Sequence, residues 1–142
     1  MKHRVLILCT GNSCRSQMAE AIINAKRGDV WEAVSAGTAP AEAVHPKAIA
    51  ALHEIGIEHS GGRPKHLDTF INQLFDLIVT VCDDAAENCP VWLGQGQRVH
   101  LGFPDPAKAT GSDDAIMAVF RQVRDDIDEK IIALLDAVAE KP

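Results

Sequence analysis

Cys9-Thr10-Gly11-Asn12-Ser13-Cys14-Arg15-Ser16 sets a thiol and a guanidinium six positions apart, between an apolar run and a helix-like one. Unpaired amides at a helix start, and in the loop before it, bind an oxyanion, and the helix dipole favours negative charge there. Arg15 can grip two oxygens of a tetrahedral anion with its planar fork. The same field favours the thiolate form of Cys9 and makes it a nucleophile. Ser16 can hydrogen-bond the Cys9 sulfur and hold it as a leaving group. Asn12 can brace the loop from within, Gly11 lets the backbone curl without a Cβ clash, and Thr10 and Ser13 complete the cradle. Cys14 is either a backup thiol or a small packed residue, and the second reading is preferred. The plain alternative is a buried Cys9 in an ordinary strand-to-helix turn. A Cys and an Arg at this spacing, between a strand and a helix, argue against it.

Cys82 and Cys89 stand in Val79-Thr80-Val81-Cys82-Asp83-Asp84-Ala85-Ala86-Glu87-Asn88-Cys89-Pro90, and Asp105 in Gly102-Phe103-Pro104-Asp105-Pro106. The four cysteines match no common zinc spacing and include no Cys-x-x-Cys, so no metal is expected. They are reactive thiols or inert buried ones. The six histidines are scattered, and none is assigned to a site. Trp31 and Trp92 are expected to pack.

The elements that must position these residues alternate. Arg4 to Leu8 reads as a buried strand ending at Cys9, and Cys14 to about Lys26 as a helix. Val30 to Val34 reads as a second strand, closed by Ser35-Ala36-Gly37-Thr38. Pro46 opens a helix with Ile49, Leu52 and Ile55 on its core face and Gly56 as its stop. A short helix over about Leu67 to Leu74 leads to a strand, Leu77 to Val81, that ends at Cys82. Arg98 to Leu101 is a weaker strand. A helix from about Ser112 to Ala139 carries Ile116, Val119, Phe120, Val123, Ile127, Ile131, Leu134 and Leu135. Alternating strands and helices predict an α/β fold: a doubly wound, four-stranded parallel sheet in the order 2-1-3-4, with helices on both faces. Ligands of such sheets bind beyond the carboxyl ends of the strands, where the strand order reverses. That point lies between the first and third strands, so the topology brings Cys9 and Cys82 to one rim.

The 142 residues suit one domain, 1–142, and 46% hydrophobic with 24% charged residues is the balance of a globular protein with a core. The net charge of -6 disfavours nucleic acid as a partner. No run suggests a membrane span or a signal peptide, so a cytoplasmic address with reduced thiols is expected.

The loop resembles that of the low-molecular-weight protein tyrosine phosphatase fold, over nearly the whole chain. The segment around Cys82 and Cys89 is similar to that of the thioredoxin-coupled arsenate reductases within that fold. The resemblance implies that Cys82 and Cys89 are relay and resolving cysteines, and that Asp105 is the general acid. Their plain alternatives are a packed Cys82 and Cys89, and an Asp-Pro turn at Asp105. In the implied reaction Cys9 attacks arsenate, Cys82 attacks Cys9 as arsenite leaves, and Cys89 attacks Cys82. The resulting Cys82–Cys89 bridge is reduced by thioredoxin. No cofactor is implied, and a monomer is expected. If residues 82 to 89 were helical, the two cysteines would stand about 10 Å apart at about 1.5 Å per residue. A disulfide needs Cα atoms within about 7 Å, so this stretch is expected to rearrange on oxidation.

The chain contains no tyrosine, and Asp105 is followed by Pro106-Ala107-Lys108 rather than by the aromatic residues of the tyrosine phosphatases. A site without an aromatic wall suits a small inorganic oxyanion. Some relatives bind potassium through residues equivalent to Asn12, Glu20 and Ser35. Here Arg63-Pro64-Lys65 follows, and the lysine is expected to repel or replace a cation. Three alternatives stay open: a low-molecular-weight phosphatase, an oxyanion- or redox-responsive binding module, and a reductase served by glutaredoxin or a small thiol.

Overall fold

The computed structural model describes residues 2–83 and 92–140. Cys89, and most of the stretch expected to rearrange, lie outside the described residues. The elements run β1 (His3–Cys9), α1 (Arg15–Arg27), β2 (Trp31–Gly37), α2 (Pro46–Glu54), β3 (Leu77–Thr80), β4 (Gln97–His100) and α3 (Asp113–Ala139). Short 3-10 turns cover Leu67–Phe70 and Pro106–Lys108. The four strands form one parallel sheet in the order β2-β1-β3-β4. This is the doubly wound order that the sequence predicts.

β1 is apolar from Val5 to Cys9 because a central parallel strand is covered on both faces. Val5, Ile7 and Cys9 join one buried cluster, and Leu6 and Leu8 the other. The first cluster receives Met18 and Ile22 from α1, Ala48 and Leu52 from α2, and Phe120, Ile127 and Ile131 from α3. The second is closed by Phe70, Phe75 and Trp92, with Phe75 edge-on to Trp92 at 6.0 Å. Among the described residues the three α-helices therefore share one face rather than the two expected, and the other face is covered by the 3-10 turn at Leu67–Phe70 with Phe75 and Trp92. Trp31 and Trp92 are both buried, as packing residues are expected to be.

Local chemistry sets the helix starts. His45 accepts at Nδ1 from the Lys47 amide at the start of α2, where Pro46 fills a position that has no need of an N–H. Ser112 accepts from the Ala115 amide at the start of α3, and Asp113 and Asp114 favour the same dipole end.

Several boundaries differ from the expectation. Ser35, Ala36 and Gly37 are not a closing turn but the end of β2, because β1 continues to pair with it as far as Cys9↔Gly37. The helix expected to Leu74 is a single 3-10 turn ending at Phe70. Ile55 is exposed rather than part of the α2 core face. The helix stops at Glu54 and the chain reverses at Gly56 (φ 81°), so Ile57 takes the buried place. Val119, expected on the apolar face of α3, sits at its margin and is exposed.

Candidate active site

The carboxyl end of β1 delivers Cys9 into a loop that closes at Arg15, the first residue of α1. The loop turns its carbonyls outward. The oxygens of Thr10, Gly11 and Ser13 accept from the amides of Ala39, Ala41 and His45, at 3.0, 2.9 and 3.1 Å. The Asn12 oxygen accepts from Gln17 Nε2 at 3.1 Å. With its carbonyls held away, the loop presents amides on its concave side, and the Asn12 amide donates to Cys9 Sγ at 3.3 Å. No side chain caps the first turn of α1.

The left-handed residue of the loop is Asn12, at φ 50°. Asparagine tolerates this region because its side chain bonds locally. Its Oδ1 accepts from the Lys65 amide at 2.8 Å, and its Nδ2 donates to Ser16 Oγ at 2.8 Å. Gly11 does not perform the curl expected of it: its φ is not positive, and a Cβ there would meet nothing within 4 Å. The glycine that close approach demands is Gly37, where a Cβ would stand 2.3 Å from the Thr10 oxygen. It holds the root of the loop against β2.

Cys9, Gly11, Ser13, Cys14, Arg15, Asp105 and Ala107 line a cavity of about 60 Å³ with no aromatic residue among them. Wider concavities of about 370 and 430 Å³ are lined by Trp31 and Asp136, and by His3 and Phe75. They lie towards the amino ends of the strands and contain no cysteine or serine. Arg15 is buried, donates to the Phe103 oxygen at 3.2 Å, and stands 3.7 Å from Asp105 Oδ2. The other Asp105 oxygen accepts from the Ala107 amide at 3.0 Å, so the carboxylate caps its own short turn. Ser16 Oγ is 3.1 Å from Cys9 Sγ. The Ser13 hydroxyl turns outward to the Ala43 oxygen. Cys14 is pushed up to about 12 by burial and by the charge of Asp105, so it stays a neutral, packed thiol.

Cys82 is buried in the same cluster as Cys9. The Val81 amide donates to the Leu8 oxygen at 3.0 Å, continuing the β1–β3 ladder past Thr80. Cys82 follows Val81 directly, just beyond the carboxyl end of β3. Cys9 and Cys14 are free thiols, whereas Cys82 is disulfide-bonded.

Sequence reasoning missed the residues behind the loop. Gln17 is fully buried, and its amide nitrogen also reaches the Arg63 oxygen at 2.9 Å. Its oxygen faces His59 Nε2 at 2.7 Å. The one available signal was a glutamine on the apolar side of a helix. Lys65 Nζ stands 3.6 Å from Glu20 Oε1, which also accepts from Ser35 Oγ at 2.9 Å. The lysine and Ser35 thus meet the same Glu20 oxygen. Among the described residues no three histidine, cysteine or acidic side chains form a metal cluster, and no helix is long and apolar enough to cross a membrane.

Comparison with known proteins gives consistent matches. The family model for low molecular weight phosphotyrosine protein phosphatase matches residues 4–142. An arsenate reductase from Halalkalibacterium halodurans is 48% identical over 130 residues, covering 92% of this chain and 93% of that protein. A solved arsenate reductase in the phosphate binding state superposes with a TM-score of 0.79 at 30% identity, over 97% of this chain and 99% of the other. A thioredoxin-dependent arsenate reductase from Corynebacterium glutamicum superposes with a TM-score of 0.70 at 27% identity, over 97% of this chain and 62% of the other.

Proposed function

The chain belongs to the low molecular weight phosphotyrosine protein phosphatase family, and on that premise we propose that it works, as one domain, as an arsenate reductase with a three-cysteine relay. Arsenate sits on the loop amides and is gripped by Arg15. The Cys9 thiolate attacks arsenic while Asp105 donates a proton to the departing oxygen, which leaves as water. Cys82 then attacks the sulfur of Cys9. The sulfur–arsenic bond breaks with its electron pair going to arsenic, and arsenite leaves. The resulting Cys9–Cys82 disulfide is opened by Cys89, which attacks Cys82 and frees Cys9. A dithiol protein of the thioredoxin kind takes the two oxidising equivalents from the Cys82–Cys89 bridge. The relative from Corynebacterium, which is thioredoxin-dependent, supports that choice of donor.

The observation that carries this reading is the thiol pattern on neighbouring strands. Cys82 lies two residues beyond the end of the strand that pairs with that of Cys9, in the same buried cluster, and is bonded while Cys9 and Cys14 are free. That is the state expected at the end of one relay cycle. A phosphatase using Cys9, Arg15 and Asp105 has no use for it.

The test is steady-state consumption of NADPH with arsenate, thioredoxin and thioredoxin reductase. Wild type should turn over. Cys82→Ser and Cys89→Ser should lose multiple turnover but retain any hydrolysis of p-nitrophenyl phosphate, whereas Cys9→Ser should lose both. Sustained arsenate-dependent turnover by Cys82→Ser would overturn the relay.

A further inference from the structure

We propose that His59 is a positioning residue for Cys9, acting through the hydrogen-bonded chain His59–Gln17–Asn12–Ser16–Cys9, in which every proton points towards the sulfur. The inference rests on Cys9 being the nucleophile, but not on arsenate being its substrate.

Two anchored amides fix the direction of the chain. One end of the Gln17 amide faces three oxygens: Asn12 O and Asn12 Oδ1 at 3.1 Å, and Arg63 O at 2.9 Å. Only the nitrogen fits there, so Gln17 Oε1 faces the imidazole at 2.7 Å and His59 must supply an N–H at Nε2. Asn12 is fixed in the same way. The Lys65 backbone N–H can only donate, so the atom it meets at 2.8 Å is Oδ1, and Asn12 Nδ2 donates to Ser16 Oγ. The hydroxyl of Ser16, having accepted from Asn12, has its own hydrogen left for Cys9 Sγ at 3.1 Å. The sulfur then receives two donations, from Ser16 and from the Asn12 amide. Losing a member of the chain removes donation to the sulfur.

Asn12, Ser16 and Gln17 are fully buried, so water does not compensate a misaligned member of the chain. His59 is the half-buried outer end. Glu20, Lys65 and Glu58 face the imidazole, and burial holds it below the ordinary histidine value. The proposal needs no change of charge, since Nε2 carries its hydrogen in both the imidazolium and this neutral tautomer.

Gly62 adds an independent constraint. A Cβ at that position would meet His59 Nε2 at 2.3 Å. The imidazole reaches Gln17 only because residue 62 has no side chain. Gly62→Ala therefore moves His59 off the chain without removing it.

The experiment is alkylation of the reduced full-length protein by iodoacetamide, with labelling of the Cys9 peptide followed by mass spectrometry across pH. His59→Ala and Gly62→Ala should move the rising limb of the Cys9 profile to higher pH, slowing labelling at neutral pH between about threefold and about tenfold, the latter being one pH unit. His59→Gln, whose amide can donate to Gln17 Oε1, should restore the wild-type profile. A purely structural role would lower the urea midpoint and leave the profile in place. A profile unmoved in both His59→Ala and Gly62→Ala overturns the proposal. If either variant folds poorly, the other, with His59→Gln, carries the test. Arsenate turnover measured in parallel separates failure of this proposal from failure of the reductase reading, because labelling of Cys9 requires no arsenate.

Discussion

Asn12 concentrates the strain and the bonding of the anion loop in one residue, so replacing it by alanine and by glycine should resolve the two. Alanine at φ 50° costs about 1–2 kcal/mol in backbone sterics. It also leaves the Lys65 N–H without its acceptor and Ser16 without its donor, at about 1–3 kcal/mol for a buried unsatisfied group. Asn12→Ala should therefore destabilise by about 2–5 kcal/mol. Asn12→Gly relieves the backbone but keeps the bonding loss, and adds about 0.5–1 kcal/mol from the freer unfolded chain. Glycine should thus be the more stable of the two, by up to about 1.5 kcal/mol. Urea unfolding followed by tryptophan fluorescence suits the measurement, because Trp31 and Trp92 are both buried. The m-value should not change. An alanine variant within about 0.5 kcal/mol of wild type, or a glycine variant weaker than alanine, would show that the left-handed backbone and its bonds do not hold the loop.

Asp105→Asn retains an oxygen to accept from Ala107 but has no proton to give, so arsenate turnover should fall by about 10²–10⁴ with the urea midpoint unchanged; full activity would remove Asp105 from the mechanism. His45 and His59 are both held below the ordinary histidine value, first by burial. The folded state thus prefers them neutral, and their contribution to stability is complete above about pH 6.5 and is lost as pH falls through their folded values. Urea midpoints from pH 8 to pH 5 should decline, and less steeply in His45→Asn; equal slopes would refute the assignment. Arg124 is buried and donates to Ala51 O at 2.9 Å and to Glu54 at 3.0 Å, tying α3 to α2. Arg124→Ala should cost about 2–3 kcal/mol while phosphate affinity, read by calorimetry, stays the same; a change in affinity would mean that this tie reaches the site.

The sheet order and the burial of Cys9 and Cys82 in one cluster were legible because both follow from the alternation of elements and from the positions at which two buried strands end. The loop was legible because its residue types serve only a few chemistries at that spacing. Which loop residue takes the left-handed backbone was not legible. Glycine is the usual choice, but the side-chain bonds of Asn12 to Lys65 and Ser16 make asparagine the better one here, and Lys65 is far away in sequence. Gly37 and His59 were hidden for the same reason. Their importance lies in what another segment brings against them: the Thr10 carbonyl in one case, the Gln17 amide in the other. Ile55 was misplaced because apolar periodicity does not say where a helix ends, and Gly56 ends this one before its face is complete.

A loop whose carbonyls are tied to residues 39–45 and whose root is pressed onto β2 behaves as a stiff receptor. Under the proposed function it senses only the shape and charge of its guest. Arsenate and phosphate share both, so such a seat admits the commoner ion as readily as the rarer one. Under the proposed chemistry the choice between them falls after docking, when only arsenic accepts an electron pair from sulfur. Phosphate would then be a standing competitor, and the enzyme's performance in a cell would depend on the ratio of the two ions rather than on the amount of arsenate alone.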